Sequence, residues 1–112
     1  MRSLASVRFS ISIRAKEVYP VKASWNGKTI AESNDTVVVE GNHYFPLSAL
    51  DSSVVVESET HSTCPWKGEA SYYSISVDGK INKDAAWYYL APKPEAAQIK
   101  DHVAFWHGVV VT

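Results

Sequence analysis

Hydrophobic and polar residues alternate along most of this chain, and the alternation comes in short runs. In "EASYYSISV", Tyr73, Ile75 and Val77 fall on one side and Tyr72, Ser74 and Ser76 on the other, the period of two that marks a half-buried strand. The same period runs through Val7, Phe9, Ile11 and Ile13, which alternate with Arg8, Ser10, Ser12 and Arg14. Thr36-Val37-Val38-Val39-Glu40 and Val54-Val55-Val56 are rich in β-branched residues and suit strands as well. Turn chemistry separates these runs. Asn26-Gly27 stands between "VKASW" and "KTIAES", and Asp78-Gly79 between "EASYYSISV" and "KINKDAAWYYL". Both dipeptides accept the positive φ of a type I′ turn, so each predicts a tight hairpin. Asn34-Asp35, Gly41-Asn42 and His107-Gly108 mark further breaks. Short helical pieces are expected at "LSALD", opened by Pro46, and over residues 94–100, where Pro94 and Glu95 suit a first turn. The whole pattern predicts a mainly β fold: a small single-domain antiparallel meander that forms an open barrel or packed sheets, with one or two short helices.

A chain of 112 residues has room for one domain with a single core. Residues 21–112 are expected to form a single compact β domain, with residues 1–20 as an N-terminal extension that adds a strand. Residues 1–16 hold Arg2, Arg8, Arg14, four serines and no acid, the composition of an organellar presequence. A presequence is an amphipathic helix, however, and the period here is that of a strand. The expected location is therefore cytoplasmic, with an organelle as the alternative if residues 1–16 act as a presequence. A net charge of −1 supplies no basic surplus for nucleic acid or an anionic membrane, and no apolar run approaches the roughly 20 residues of a membrane span. Neither partner is expected. The single cysteine, Cys64, excludes an internal disulfide.

The aromatic content changes the picture more. Four tryptophans and six tyrosines exceed what so small a core requires, and such rings favour places where the body is buried and the polar tip has a partner. "TCPWKG" is expected to form a rigid loop, and in it Cys64 lies between His61 and Lys67, a base and a cation that could stabilise a thiolate for nucleophilic or redox work. Against this, free cysteine often packs as a small hydrophobe. His61 and Cys64 also have the spacing of two metal ligands, but no two further ligands stand out among His43, His102 and His107, so no metal site is expected. Trp66 and Lys67 read as ligand contacts, a ring across a pocket and an ammonium for a carboxylate or phosphate, or else as a lid beside a solvated lysine. Glu40, close to Tyr44, is a candidate general base or the ion-pair partner of Lys67. Asp84 reads as a strand-start or turn residue ahead of Trp87, Tyr88 and Tyr89.

Several of these stretches occur together in a known family. "SWNGKTIAES", "TVVVEGNHYFP", "TCPWKGEASYYS", "VDGK", "DAAWYYLAPKPEAAQIKDHVAFW" and the closing "GVVV" resemble, in this order, domain of unknown function 427. The resemblance runs from about Val21 to Val111, and "CPWKG" with "DAAWYY" makes it specific. It implies a compact, mostly β domain similar to the β-tent type of open barrel, and no established activity. The family is sometimes labelled nucleotidyltransferase-like, but neither a glycine-rich phosphate cradle nor a metal-spaced pair of acids stands out here. The four-cysteine zinc site of many β-tent proteins cannot form with Cys64 alone.

The expected function is binding of a small molecule in an aromatic pocket that contains Tyr44, His61, Cys64, Trp66, Lys67, Tyr73, Trp87 and Tyr88, with Glu40 among its polar groups. No cofactor is expected. The alternatives are an enzyme that uses Cys64 as nucleophile or Lys67 with Glu40 in proton transfer, and a protein-interaction module that presents a strand edge or aromatic patch. A monomer or a weak homodimer fits either reading. All of the binding readings require that these segments share one hollow.

Overall fold

The computed structural model describes residues 19–112. The strand expected over residues 7–14, and nearly all of the expected extension, lie outside the described residues.

Strands β1 (Val21–Trp25) and β2 (Lys28–Ser33) form the first hairpin, and β3 (Val37–Val39) and β4 (Asn42–Pro46) the second. Next come β5 (Val55–Cys64), β6 (Gly68–Val77) and β7 (Lys80–Tyr88), then β8 (His102–Phe105) and β9 (Val110–Val111). They form two sheets, a smaller one ordered β2-β1-β9 and a larger one ordered β3-β4-β8-β7-β6-β5, and the strand pairs are antiparallel. Packed open sheets are thus realised rather than a closed barrel.

The turn dipeptides explain the hairpins. Asn26 and Gly27 have φ of 51° and 79°, and Asp78 and Gly79 have φ of 51° and 79°, the pair of positive angles that a type I′ turn needs. The third tight hairpin corrects the sequence reading by one residue. Its turn is Glu40-Gly41, at φ 54° and 81°, and Asn42 already belongs to β4. Glycine at the second position lowers the cost of the turn, and the glutamate accepts the left-handed region that few residues favour.

A second correction concerns "TCPWKG". The stretch reads as a loop, yet Cys64 closes the ladder of β5 by pairing with Gly68 of β6. Only residues 65–67 form the turn. Pro65 sits where no ladder N–H is required, which is why the hairpin tolerates it. The expected helices are 3-10 turns, at Leu47–Ala49, Ser52–Val54 and Pro94–Ile99. The last is broken by Ala96 at φ −118°, and so short a segment gains little from α-helical hydrogen bonds.

The larger sheet has two faces. On the inner face Phe45, Ile75, Val103 and Ala86 pack against Ala23, Ile30 and Ala31 of the smaller sheet. On the outer face Tyr44, Ala104, Ala70 and Tyr89 pack with Val39, Ala96 and Ile99. Residues 47–54 carry the chain from β4 across to the far edge of the larger sheet. The crossing is tied to the smaller sheet by the bond from the Asp51 N–H to the Ile30 carbonyl (2.8 Å). No helix among the described residues is long and apolar enough to cross a membrane.

Candidate functional site

Strand register decides which candidate residues meet. Tyr72 pairs with Trp87 and Trp87 with Ala104, while Phe45 pairs with Val103. Because neighbours along a strand face opposite sides, Tyr44, Ala104, Trp87 and Tyr72 form one row on the outer face. Ser62 pairs with Ala70 and Cys64 with Gly68, which places Cys64 on that face too, partly buried against the cluster of Tyr44 and Tyr89. His61 pairs with Ser71 and hydrogen-bonds to its hydroxyl (3.2 Å), so it lies on the inner face. Tyr73 and Tyr88 lie there as well, stacked at 4.5 Å.

The eight expected pocket residues and Glu40 are therefore divided between the two sides of one sheet. Tyr44, Cys64, Trp66, Lys67 and Trp87 come together with Glu40, while His61, Tyr73 and Tyr88 do not join them. The His61-x-x-Cys64 spacing brings two ligands together on a helix but sets them on opposite faces of a strand. These two side chains cannot share a metal ion, nor can His61 act as base to the thiol. No group of three or more metal-ligating side chains occurs among the described residues.

The outer-face cluster is built at the tip of the β5–β6 hairpin. Gly68, at φ +112°, lets the chain turn back beneath Ala91 and Lys93. The Lys93 N–H donates to the Lys67 carbonyl (2.9 Å) and the Lys93 ammonium to the Pro65 carbonyl (2.6 Å). This strap fixes Trp66 and Lys67. The Lys67 ammonium is ion-paired with Glu40 and lies 5.2 Å from the Trp66 ring centre and 5.6 Å from that of Tyr89, within cation–π range. The Trp66 indole N–H donates to the other Glu40 oxygen at 3.4 Å. The Lys67 side chain is only 9% exposed, against 53% for Glu40.

The charges of the pair are mutually reinforced. Burial works against the Lys67 ammonium, but the Glu40 hydrogen bond and the negative charges that Tyr44, Tyr89 and Cys64 can carry outweigh it and raise its pKa above the ordinary lysine value. The hydrogen bond from Lys67 holds Glu40 below the ordinary carboxylate value, despite some desolvation. Burial pushes the Tyr89 phenol up to about 12, against the opposing charge of Lys67, so that ring is neutral beside the cation near neutral pH and adds its charge only in strongly alkaline solution.

Along the same face, Trp87 donates its N–H to the Tyr44 hydroxyl (3.1 Å) and meets that ring edge-on at 6.1 Å. At the far end stands a cluster that the sequence reading missed. Both β5 and β7 carry bulges, between Glu57 and His61 and opposite Tyr73–Ile75. Asp84, at φ 54°, accepts from the hydroxyls of Ser58 (2.5 Å) and Thr60 (2.8 Å), and its carbonyl accepts from the Trp106 indole (2.6 Å). Asp84 is thus neither a strand start nor a hairpin turn: it ties one bulge to the other from within β7. The signal available was an aspartate inside an otherwise strand-like run.

A separate cleft of about 340 Å³ opens beside the crossing segment, lined by Leu47, Leu50, Ser52, Val55, Glu57 and Tyr73.

No curated protein matches this sequence. A family model described as domain of unknown function (DUF427) matches residues 14–112, a span that starts ahead of β1 and takes in every strand of both sheets. On that match, the chain belongs to the DUF427 family.

Proposed function

We propose that the chain is a small-molecule-binding β domain that takes a small organic anion at the Lys67 ammonium. The observation that carries this reading is the inequality within the ion pair: the lysine side chain is 9% exposed and its carboxylate partner 53%. A buried cation needs an anion beside it, but that anion need not be Glu40. Glu40 projects from the tip of a hairpin and is largely solvated, so a ligand carboxylate or phosphate replaces it at the cost of one solvent-screened pair. The adjacent Trp66, 37% exposed, offers a ring on which a planar ligand body stacks.

The catalytic alternative has less support. Acid–base work near neutral pH needs groups tuned toward that range, whereas Lys67 is held protonated and Glu40 ionised. The nucleophile version loses its expected base, because His61 stands on the opposite face, bonded to Ser71.

Titration with benzoate and with inorganic phosphate, followed by amide and indole resonances, tests the proposal. Benzoate is expected to shift Trp66, Lys67 and Tyr89 saturably. The Lys67→Met variant should lose this response, and Glu40→Gln, which removes the competing carboxylate, should bind benzoate more tightly. Equal binding by Lys67→Met, weaker binding by Glu40→Gln, or no saturable shift with either anion would overturn it.

A further inference from the structure

We propose that the cleft beside the crossing segment is a second ligand site, separate from Lys67, for a small ammonium compound with a compact apolar body. Its volume of about 340 Å³ falls within the roughly 300–1,000 Å³ of small-molecule sites. Leu47, Leu50 and Val55 supply apolar walls, and among the described residues Glu57 carries the only charge in the lining. Among the described residues the ion pairs join Lys28 to Asp51, Lys67 to Glu40 and Lys100 to Asp101, so none of them neutralises Glu57.

The rest of the lining favours the same ligand. The Tyr73 phenol, pushed up to about 12 by burial, by its bond to Tyr88 and by the charges of Tyr88 and Glu57, stays neutral and adds a hydroxyl rather than a second charge. Its ring is backed by Tyr88 at 4.5 Å and 20°, which fixes an aromatic wall suited to a cation. The opposite wall is held in place too. The Leu47 N–H donates to the Asp101 carbonyl (2.9 Å), and the Asp51 N–H to that of Ile30 (2.8 Å), so little ordering remains to be done on binding. An anion would meet Glu57 unfavourably, and a neutral apolar molecule would gain nothing from the carboxylate. An ammonium on an apolar body satisfies both parts.

Cyclohexylamine, cyclohexanol and cyclohexanecarboxylate share one apolar body and differ in charge, and resonance titrations with all three decide the matter. Cyclohexylamine is expected to bind best, with shifts at Leu47, Leu50 and Tyr73. Glu57→Gln, at an exposed position that leaves the fold intact, should weaken the amine about tenfold, the scale of a charge-assisted hydrogen bond, and leave cyclohexanol unchanged. Lys67→Met should not alter amine binding, which separates this site from the anion site. Equal binding of amine and carboxylate, an unaltered affinity in Glu57→Gln, or no saturable shift with the amine would overturn the proposal.

Discussion

On the inner face of the larger sheet, Phe45, Ile75 and Val103 are fully buried under the smaller sheet. On the outer face Tyr44 is as deeply buried, yet its neighbours Tyr72 and Trp87 are half-buried and Trp106 remains 44% exposed. The difference lies in the side chains. Aliphatic residues and phenylalanine have nothing to offer water, so a strand face made of them has to be covered by another layer. Rings with polar tips can satisfy one another, as Trp87 does with Tyr44 (3.1 Å) and Ser62 with Tyr72 (2.7 Å). Such a face stands half-open to solvent and still holds together. The aliphatic part of the inner face, where the smaller sheet covers it, is therefore the place to look for stability, and the surfaces that rings with polar tips leave half-open are the place to look for recognition.

The sharpest way to break this comparison is to truncate one side chain on each face. Phe45→Ala should cost about 3–5 kcal/mol in denaturant-induced unfolding, because the cavity lies between two packed sheets. Tyr44→Phe keeps the ring and removes only the acceptor of the Trp87 N–H, so a loss of about 1 kcal/mol is expected. Comparable losses in the two variants would show that the outer face is as much a core as the inner one.

Next in size is Gly68→Ala. The added Cβ would lie 3.5 Å from the Ala91 carbonyl oxygen, an ordinary contact, but the residue sits at φ +112°. The cost is therefore backbone strain, about 1 kcal/mol or more, felt at the tip that positions Trp66 and Lys67. Weakened benzoate binding with a modest fall in stability is the expected pair of results, read from one titration and one unfolding curve.

How far the sequence alone carries these conclusions depends on the range of the physics involved. The hairpins at Asn26-Gly27 and Asp78-Gly79 are legible because the turn dipeptide itself accepts the required angles. The alternation in β6 is legible for the same local reason. Illegible were the insertion of β8 between β4 and β7 and the bulges that knit Ser58 and Thr60 to Asp84, since both depend on pairing between distant strands. The candidate site shows both cases at once. That Glu40 could pair with Lys67 was readable as a need for charge balance. That Tyr73, Tyr88 and His61 face away from Tyr44, Cys64 and Trp87 depends on register, which no single strand declares. The Glu57 cleft had no local signal at all, being made by residues 47–54 passing over two other strands.

A smaller effect, confined to alkaline solution, compares the faces through one tyrosine each. Tyr73 on the inner face and Tyr89 on the outer side are each raised by burial to about 12. A phenol whose folded pKa exceeds its unfolded value of about 10 contributes stability that is complete below pH 10 and is lost as the pH rises toward 12. Tyr73→Phe and Tyr89→Phe should each flatten that alkaline decline, and absorbance titration of the native protein should show these two phenols ionising late, alongside Tyr44, which burial also raises. If both ionise near 10, neither ring is shielded as described.

The smallest effect tests the ion pair itself. Lys67 holds the Glu40 carboxyl below its ordinary 4.5, so the pair contributes stability above that value and loses it as the pH falls through the lowered pKa. Because Glu40 is largely solvated the contribution is modest, and Asp51 and Asp84, lowered by hydrogen bonds from Ser53 and from Ser58, add their own acid dependence. An unfolding curve would blend all three. Carboxyl resonances separate them: Glu40 should titrate below 4.5 in the native protein and return toward the ordinary range in Lys67→Met, while Asp84, tied to the opposite end of the same face, stays where it was. A Glu40 that titrates normally in the native protein would mean that Lys67 has no fixed counter-ion, and the exchange of one carboxylate for another at this site would lose its starting point.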